Sequence, residues 1–184
     1  MRRAALAILA ILALPVSARA QAVPSPAGDS VVVFVARHAE KAEDGSNDPG
    51  LTPEGRARAA RLARILSDAG LTTVYSTDYA RTRETARPAA EEAGLGVHLY
   101  DPDAPKELAA RLRGAPGRYL VIGHSNTVPG LVRALGGQAG GELGEAEYDR
   151  LYVVLLGPGG ATTLALRYGE PSGRRTMGGG KTPR

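Results

Sequence analysis

At 184 residues and 43% hydrophobic composition, the chain can bury the core of one domain but not of several. It has no cysteine, which excludes disulfides, a lipid-anchored amino terminus and thiolate metal sites. The formal charge of +4 sits at the two ends: residues 29–170 hold 16 basic and 19 acidic side chains, with one Phe and no Trp, so no general nucleic-acid footprint is expected.

The first twenty residues, MRRAALAILAILALPVSARA, combine a basic start, an apolar run and a small-x-small ending at Ala18-Arg19-Ala20. That is the build of a secretory signal peptide cleaved before Gln21. The apolar run is shorter than the roughly 20 residues a membrane-spanning helix needs. A periplasmic or secreted product with no membrane span after cleavage is therefore expected. Loss of Arg2, Arg3 and Arg19 would leave 20 basic against 19 acidic residues. Residues 21–30, QAVPSPAGDS, read as a flexible leader.

From residue 31 to 169 short apolar runs alternate with helical patterns. Strands are expected at Val31–Ala36, Thr72–Ser76, Val97–Tyr100, Tyr119–Gly123, Leu151–Leu156 and Thr162–Arg167. Thr52 followed by Pro53 marks a helix start, with Leu62, Ile65, Leu66 and Ala69 on one face and Gly70 as the stop. Further helices are expected over 79–93, closed by Gly94, and over 105–113 and 127–136. Strand alternating with helix predicts a three-layer α/β sandwich around a mostly parallel sheet. Residues 170–184, GEPSGRRTMGGGKTPR with its preceding glycine, form a glycine-rich basic tail too polar to order itself.

In such sheets ligands gather beyond the carboxyl ends of the strands. Three segments bring reactive groups there. Arg37 and His38 follow VVVFVA, His124 follows YLVIG, and Arg81 opens the helix after TTVYS. Two guanidinium forks match the charge and geometry of a phosphoryl group, and a neutral imidazole can attack phosphorus and hold it as phosphohistidine. Two nearby arginines should also depress the pKa of that imidazole. Taken singly, each of these residues has an ordinary reading, as a strand-end charge, a solvated helix face or a core histidine. Their joint placement on one sheet edge points to a phosphate pocket.

At these residues the sequence resembles the histidine phosphatase superfamily, the phosphoglycerate mutase-like group (branch 1). Its Arg-His-Gly-Glu signature looks like RHAE at residues 37–40, its second-arginine motif like TDYARTRETA, and its late histidine motif like GHSN. LTPEGRARA, Leu51 to Ala59, resembles the family's Leu-Thr-x-x-Gly-x-x-x-Ala segment. The resemblance implies a phosphoglycerate mutase-like fold for 31–169, with His38 as nucleophile and Arg37, Arg81 and His124 completing the pocket. It implies a small phosphorylated substrate and neither metal nor other cofactor. Ala39 departs from the family's glycine, and the leaving-group acid has no clear match; Asp101 is the candidate taken, with Asp103 and Glu40 as the other nearby carboxylates. The stretches 40–50 and 137–149 are expected to rim the pocket, and His98 to be structural.

The expected activity is hydrolysis of phosphate esters, with a phosphomutase or a non-catalytic phospho-ligand binding protein as alternatives. An esterase using Ser125 in GHSNT lacks the histidine that must follow the serine. GGGKT near the carboxyl terminus lacks the earlier P-loop glycine, and DGSNDPG has proline where a calcium loop needs glycine.

Overall fold

The computed structural model describes residues 30–172. The expected signal peptide, all but the last residue of the leader, and residues 173–184 of the tail lie outside them. Ten elements follow one another: β1 (Val31–Arg37), α1 (Pro53–Leu66), β2 (Thr73–Ser76), α2 (Ala80–Glu92), β3 (Val97–Leu99), α3 (Pro105–Arg113), β4 (Gly117–Gly123), α4 (Val128–Ala134), β5 (Arg150–Gly157) and β6 (Gly160–Arg167).

They build one six-stranded sheet in the order β3-β2-β4-β1-β5-β6. Strands β3, β2, β4 and β1 are parallel, as alternating strands and helices predict. The last two strands run antiparallel to their neighbours, so the sheet is mixed. Only Pro158 and Gly159 separate β5 from β6, and a connection that short can form a hairpin but not a parallel crossover.

Alternation along the strands divides the core into two layers. Val33, Val35, Val121 and Tyr152 face α3 and α4 through Leu112, Leu131 and Val132. Ala36, Val74, Leu120 and Ile122 face α1 and α2 through Leu62, Leu66, Ala86 and Ala90. Helix α1 begins as its sequence demands: Gly55 donates its backbone N–H to the Thr52 hydroxyl, and Pro53 occupies the first turn. One expectation about its buried face fails. Ile65 is 49% exposed, because the buried stripe follows Gly55, Ala59, Leu62, Ala63 and Leu66 and leaves Ile65 on its flank.

Gly94 closes α2 in the left-handed conformation, φ 68°, with Leu95 donating back to the Ala90 carbonyl. Gly55 has a different reason to be glycine. A Cβ there would lie 2.3 Å from the Glu40 carbonyl oxygen, so α1 can approach the segment after β1 only without a side chain.

Candidate active site

The parallel register delivers the reactive residues to one edge. Arg37, the last residue of β1, pairs with Gly123, the last of β4, and the His38 N–H donates to the Gly123 carbonyl at 2.9 Å. The residues that follow the two strands, His38 and His124, therefore sit side by side, with ring centroids 5.4 Å apart. Gly123 must be small here, since a Cβ would come within 2.9 Å of both the Thr127 and Tyr100 hydroxyls. Strand β2 ends alongside at Ser76, and the turn Thr77–Tyr79 leads into α2, whose second residue is Arg81. Arg37, His38, Arg81 and His124 line one open cleft of about 500 Å³.

Each of the four is held differently. Arg37 is 3% exposed; its Nη1 donates to the carbonyls of Gly144, Glu145 and Glu147 at 2.9, 2.8 and 3.2 Å, and its guanidinium lies 4.3 Å from the Tyr148 ring centre. A buried guanidinium fastened by one end to three fixed carbonyls has little freedom to turn. Arg81 stacks on Tyr79 at 4.4 Å and lies 3.8 Å from Asp48. Asp48 also supplies the cap that Tyr79 cannot: its carboxylate accepts the Ala80 N–H at 2.8 and 3.1 Å, joining the loop after β1 to the amino end of α2. Arg37 and Arg81 each keep a buried Nε–H with no protein acceptor among the described residues.

The His38 ring is 2.7 Å, through Nδ1, from the Ala39 carbonyl oxygen. A carbonyl can only accept, so Nδ1 carries the proton and Nε2 carries the lone pair. Burial is the main cause pushing the His38 pKa down to about 3, with Arg37, His124 and Arg81 adding to it against the Ala39 hydrogen bond. His124 is pushed down to about 4, again by burial first and then by Arg81 and Arg37. The arginines act in the expected direction, but desolvation is the larger force. Both rings are neutral near pH 7.

The carboxylates are distributed otherwise than the sequence suggested. Glu40 is engaged by Arg58, whose Nε and Nη2 donate to it at 2.7–3.0 Å. Asp101 accepts the Asp103 N–H at 2.9 Å within its own turn and does not line the cleft. Asp103 and Glu145 do line it. Glu145 accepts a hydrogen bond from the Ser125 hydroxyl at 3.3 Å and has its other oxygen 3.6 Å from Arg37. Glu145 comes from the stretch expected to rim the pocket, as Lys41 does from the other rim. Ser125, the rival nucleophile, bonds to a carboxylate and not to an imidazole. His98 lies on the edge strand β3, its ring 5.9 Å from Tyr75 and away from the cleft.

Sequence reasoning missed Thr77, Tyr79, Tyr148 and Asp48. Thr77 and Tyr79 stand just before Arg81 in STDYAR, and Asp48 and Tyr148 fall within the stretches 40–50 and 137–149 expected to rim the pocket, but no local pattern ties any of the four to a particular partner in the site. Among the described residues no group of three or more His, Asp or Glu side chains is placed to hold a metal ion, and no helix is long and apolar enough to cross a membrane.

Comparisons with known proteins agree with the fold. The family model described as "Histidine phosphatase superfamily (branch 1)" matches residues 33–102. An "8-oxo-(d)GTP phosphatase" of Mycolicibacterium smegmatis is 28% identical over 120 residues, 56% of this chain and 37% of that protein. A "Probable phosphoglycerate mutase GpmB" of Escherichia fergusonii is 34% identical over 76 residues, 38% of this chain and 35% of that protein. The aligned regions thus span little more than a third of these curated relatives. Among solved structures, the protein histidine phosphatase SixA complexed with tungstate superposes with a TM-score of 0.61 at 21% identity, covering 74% of this chain and 96% of that one. A putative alpha-ribazole-5'-P phosphatase from Escherichia coli superposes at 0.60 and 15% identity, with the same coverage. At such identities the superpositions establish a shared fold.

Proposed function

Because the chain belongs to the histidine phosphatase superfamily, branch 1, we propose that it is an exported, metal-independent phosphomonoesterase acting through a phosphohistidine on His38. The carrying observation is the convergence of Arg37, His38, Arg81 and His124 on one cleft, with the His38 tautomer set by the Ala39 carbonyl. Nε2 attacks phosphorus while the bond to the ester oxygen breaks and its electron pair leaves with that oxygen. Water then attacks the phosphohistidine, the P–N bond breaks, and the electron pair returns to Nε2.

Arg37 and Arg81 neutralise the equatorial oxygens. Their unpartnered buried Nε–H groups support this role, because a buried donor left unmet by protein costs stability that a bound anion would recover. Asp103 and Glu145 are better placed than Asp101 to protonate the departing oxygen. Export rests on the composition of the first twenty residues.

The test is labelling. Mature protein incubated with a radiolabelled phosphate ester should take up acid-labile, base-stable label and release inorganic phosphate, and His38→Ala should do neither. Label that passes to an added alcohol and not to water would make the protein a mutase. Phosphate binding without label in the wild type would make it a binding protein.

A further inference from the structure

Thr85 stands one helical turn after Arg81 on α2 and is fully buried. Its hydroxyl meets two backbone groups: it accepts the Ala39 N–H at 2.9 Å and donates to the Arg81 carbonyl at 2.7 Å. An amide N–H can only donate and a carbonyl can only accept, so the direction of both bonds is set. One hydroxyl thus joins the residue after His38 to the residue that carries the second arginine of the cleft.

Ala39 is held on two further sides. Its carbonyl oxygen lies 2.7 Å from Nδ1 of His38, and its methyl packs in a small buried cluster with Leu51 and Ala59. The Arg81 guanidinium has its own supports, Tyr79 at 4.4 Å and Asp48 at 3.8 Å. The Thr85 hydroxyl ties together the two stretches of backbone from which these side chains start.

We propose that Thr85 is a positioning residue, whose hydroxyl sets the His38 ring relative to Arg81 by tying the Ala39 backbone to α2. This rests on the reading of His38 as nucleophile and Arg81 as a phosphate-binding residue. Attack in line needs Nε2, phosphorus and the departing oxygen nearly collinear, while Arg81 fixes where the phosphoryl oxygens lie. A small shift between the two leaves the anion bound but off the line of attack. Without the hydroxyl, the buried Ala39 N–H has no acceptor and its peptide turns to find one. The His38 ring, bonded to the Ala39 carbonyl, turns with it.

The test compares Thr85→Val, which keeps the shape and removes the hydroxyl, with Thr85→Ser, which keeps the hydroxyl. In single-turnover experiments on the full chain with a labelled phosphate ester, Thr85→Val should slow phosphohistidine formation by about tenfold or more. Its inhibition constant for inorganic phosphate should stay close to the wild-type value, and Thr85→Ser should restore most of the rate. Long-range proton–nitrogen correlation spectra at pH 7.5, assigned with His38→Ala, should show Nδ1–H for His38 in wild type and Thr85→Ser. Thr85→Val should show a mixture of the two neutral tautomers. Hydrogen exchange on the wild type, which needs no variant, should find the Ala39 amide protected as strongly as those of β1.

A wild-type rate in Thr85→Val, or a loss that Thr85→Ser does not restore, would overturn the role of the hydroxyl. Phosphate inhibition lost in parallel with the rate would make Thr85 a general structural support and overturn the positioning role. Rapid exchange at Ala39 would overturn the bond itself. A wild type that takes up no label would refute the phosphohistidine reading instead. The spectra need no turnover, so they would still decide the tie: an unchanged His38 signal in Thr85→Val would overturn it.

Discussion

Replacing His38 by Gln should make the protein more resistant to acid relative to its stability near neutrality. The folded ring takes up a proton only near pH 3, whereas the ring in an unfolded chain does so at 6.5. Between those values the unfolded chain binds a proton that the folded one does not, so the folded state loses stability as pH falls from 6.5 towards 3. Each pH unit in that window is worth about 1.4 kcal/mol, so about 2 kcal/mol is lost by pH 5 and about 3.5 kcal/mol by pH 4. His38 is only 3% exposed, so solvent screens little of this. Against a typical domain stability of about 5–15 kcal/mol the loss is large. Gln keeps an N–H able to reach the Ala39 carbonyl but does not titrate. Between pH 7.5 and pH 5 both folded rings stay neutral, so the His124 contribution should be shared by both proteins. Urea unfolding at pH 7.5 and pH 5.0, in buffers free of phosphate, should show wild type losing about 2 kcal/mol more than His38→Gln between the two conditions. Equal losses would refute the claim that this ring is held neutral by burial.

Arg81→Ala should raise the inhibition constant for inorganic phosphate by about a hundredfold, measured with a chromogenic phosphate ester, since it removes one charged fork from a cleft with two. Asp48→Ala should lower stability by about 1 kcal/mol through loss of the α2 cap, read by thermal unfolding, and Asp48→Asn should recover most of it. Gly55→Ala should destabilise by more than about 3 kcal/mol, because its Cβ would strike the Glu40 carbonyl, whereas Gly130→Ala in α4 meets nothing within 4 Å and should stabilise by about 0.5–1 kcal/mol.

Much of this molecule was legible in one dimension because the relevant forces are local. Helix α3 runs over Pro105–Arg113, as read from the sequence, and α1 and α2 start within a residue of their expected caps. Proline at a first turn, glycine after a last one, and alternating or helical apolar spacing act over a few residues. The ordered motifs at Arg37, His38, Arg81 and His124 were visible for the same reason, since parallel strands send consecutive carboxyl ends to one edge. Ile65 shows the limit: a helical repeat puts it beside Leu62 and Leu66, but which flank is covered depends on where the sheet lies.

Other features arise only when distant segments meet. Arg37 is fastened to carbonyls more than a hundred residues later in the chain, and Asp48 caps a helix that begins at Ala80. Asp101 looked better placed than Asp103 until its own turn claimed it. Residue order thus determined the elements, the reactive side chains and the sheet edge where they meet. Chain closure decided how deeply each ring is desolvated, which carboxylates face the cleft, and that β5 runs antiparallel to β1. Proton placement and desolvation depend on atoms within about 3 Å of one another, and such neighbours exist only after the backbone has folded.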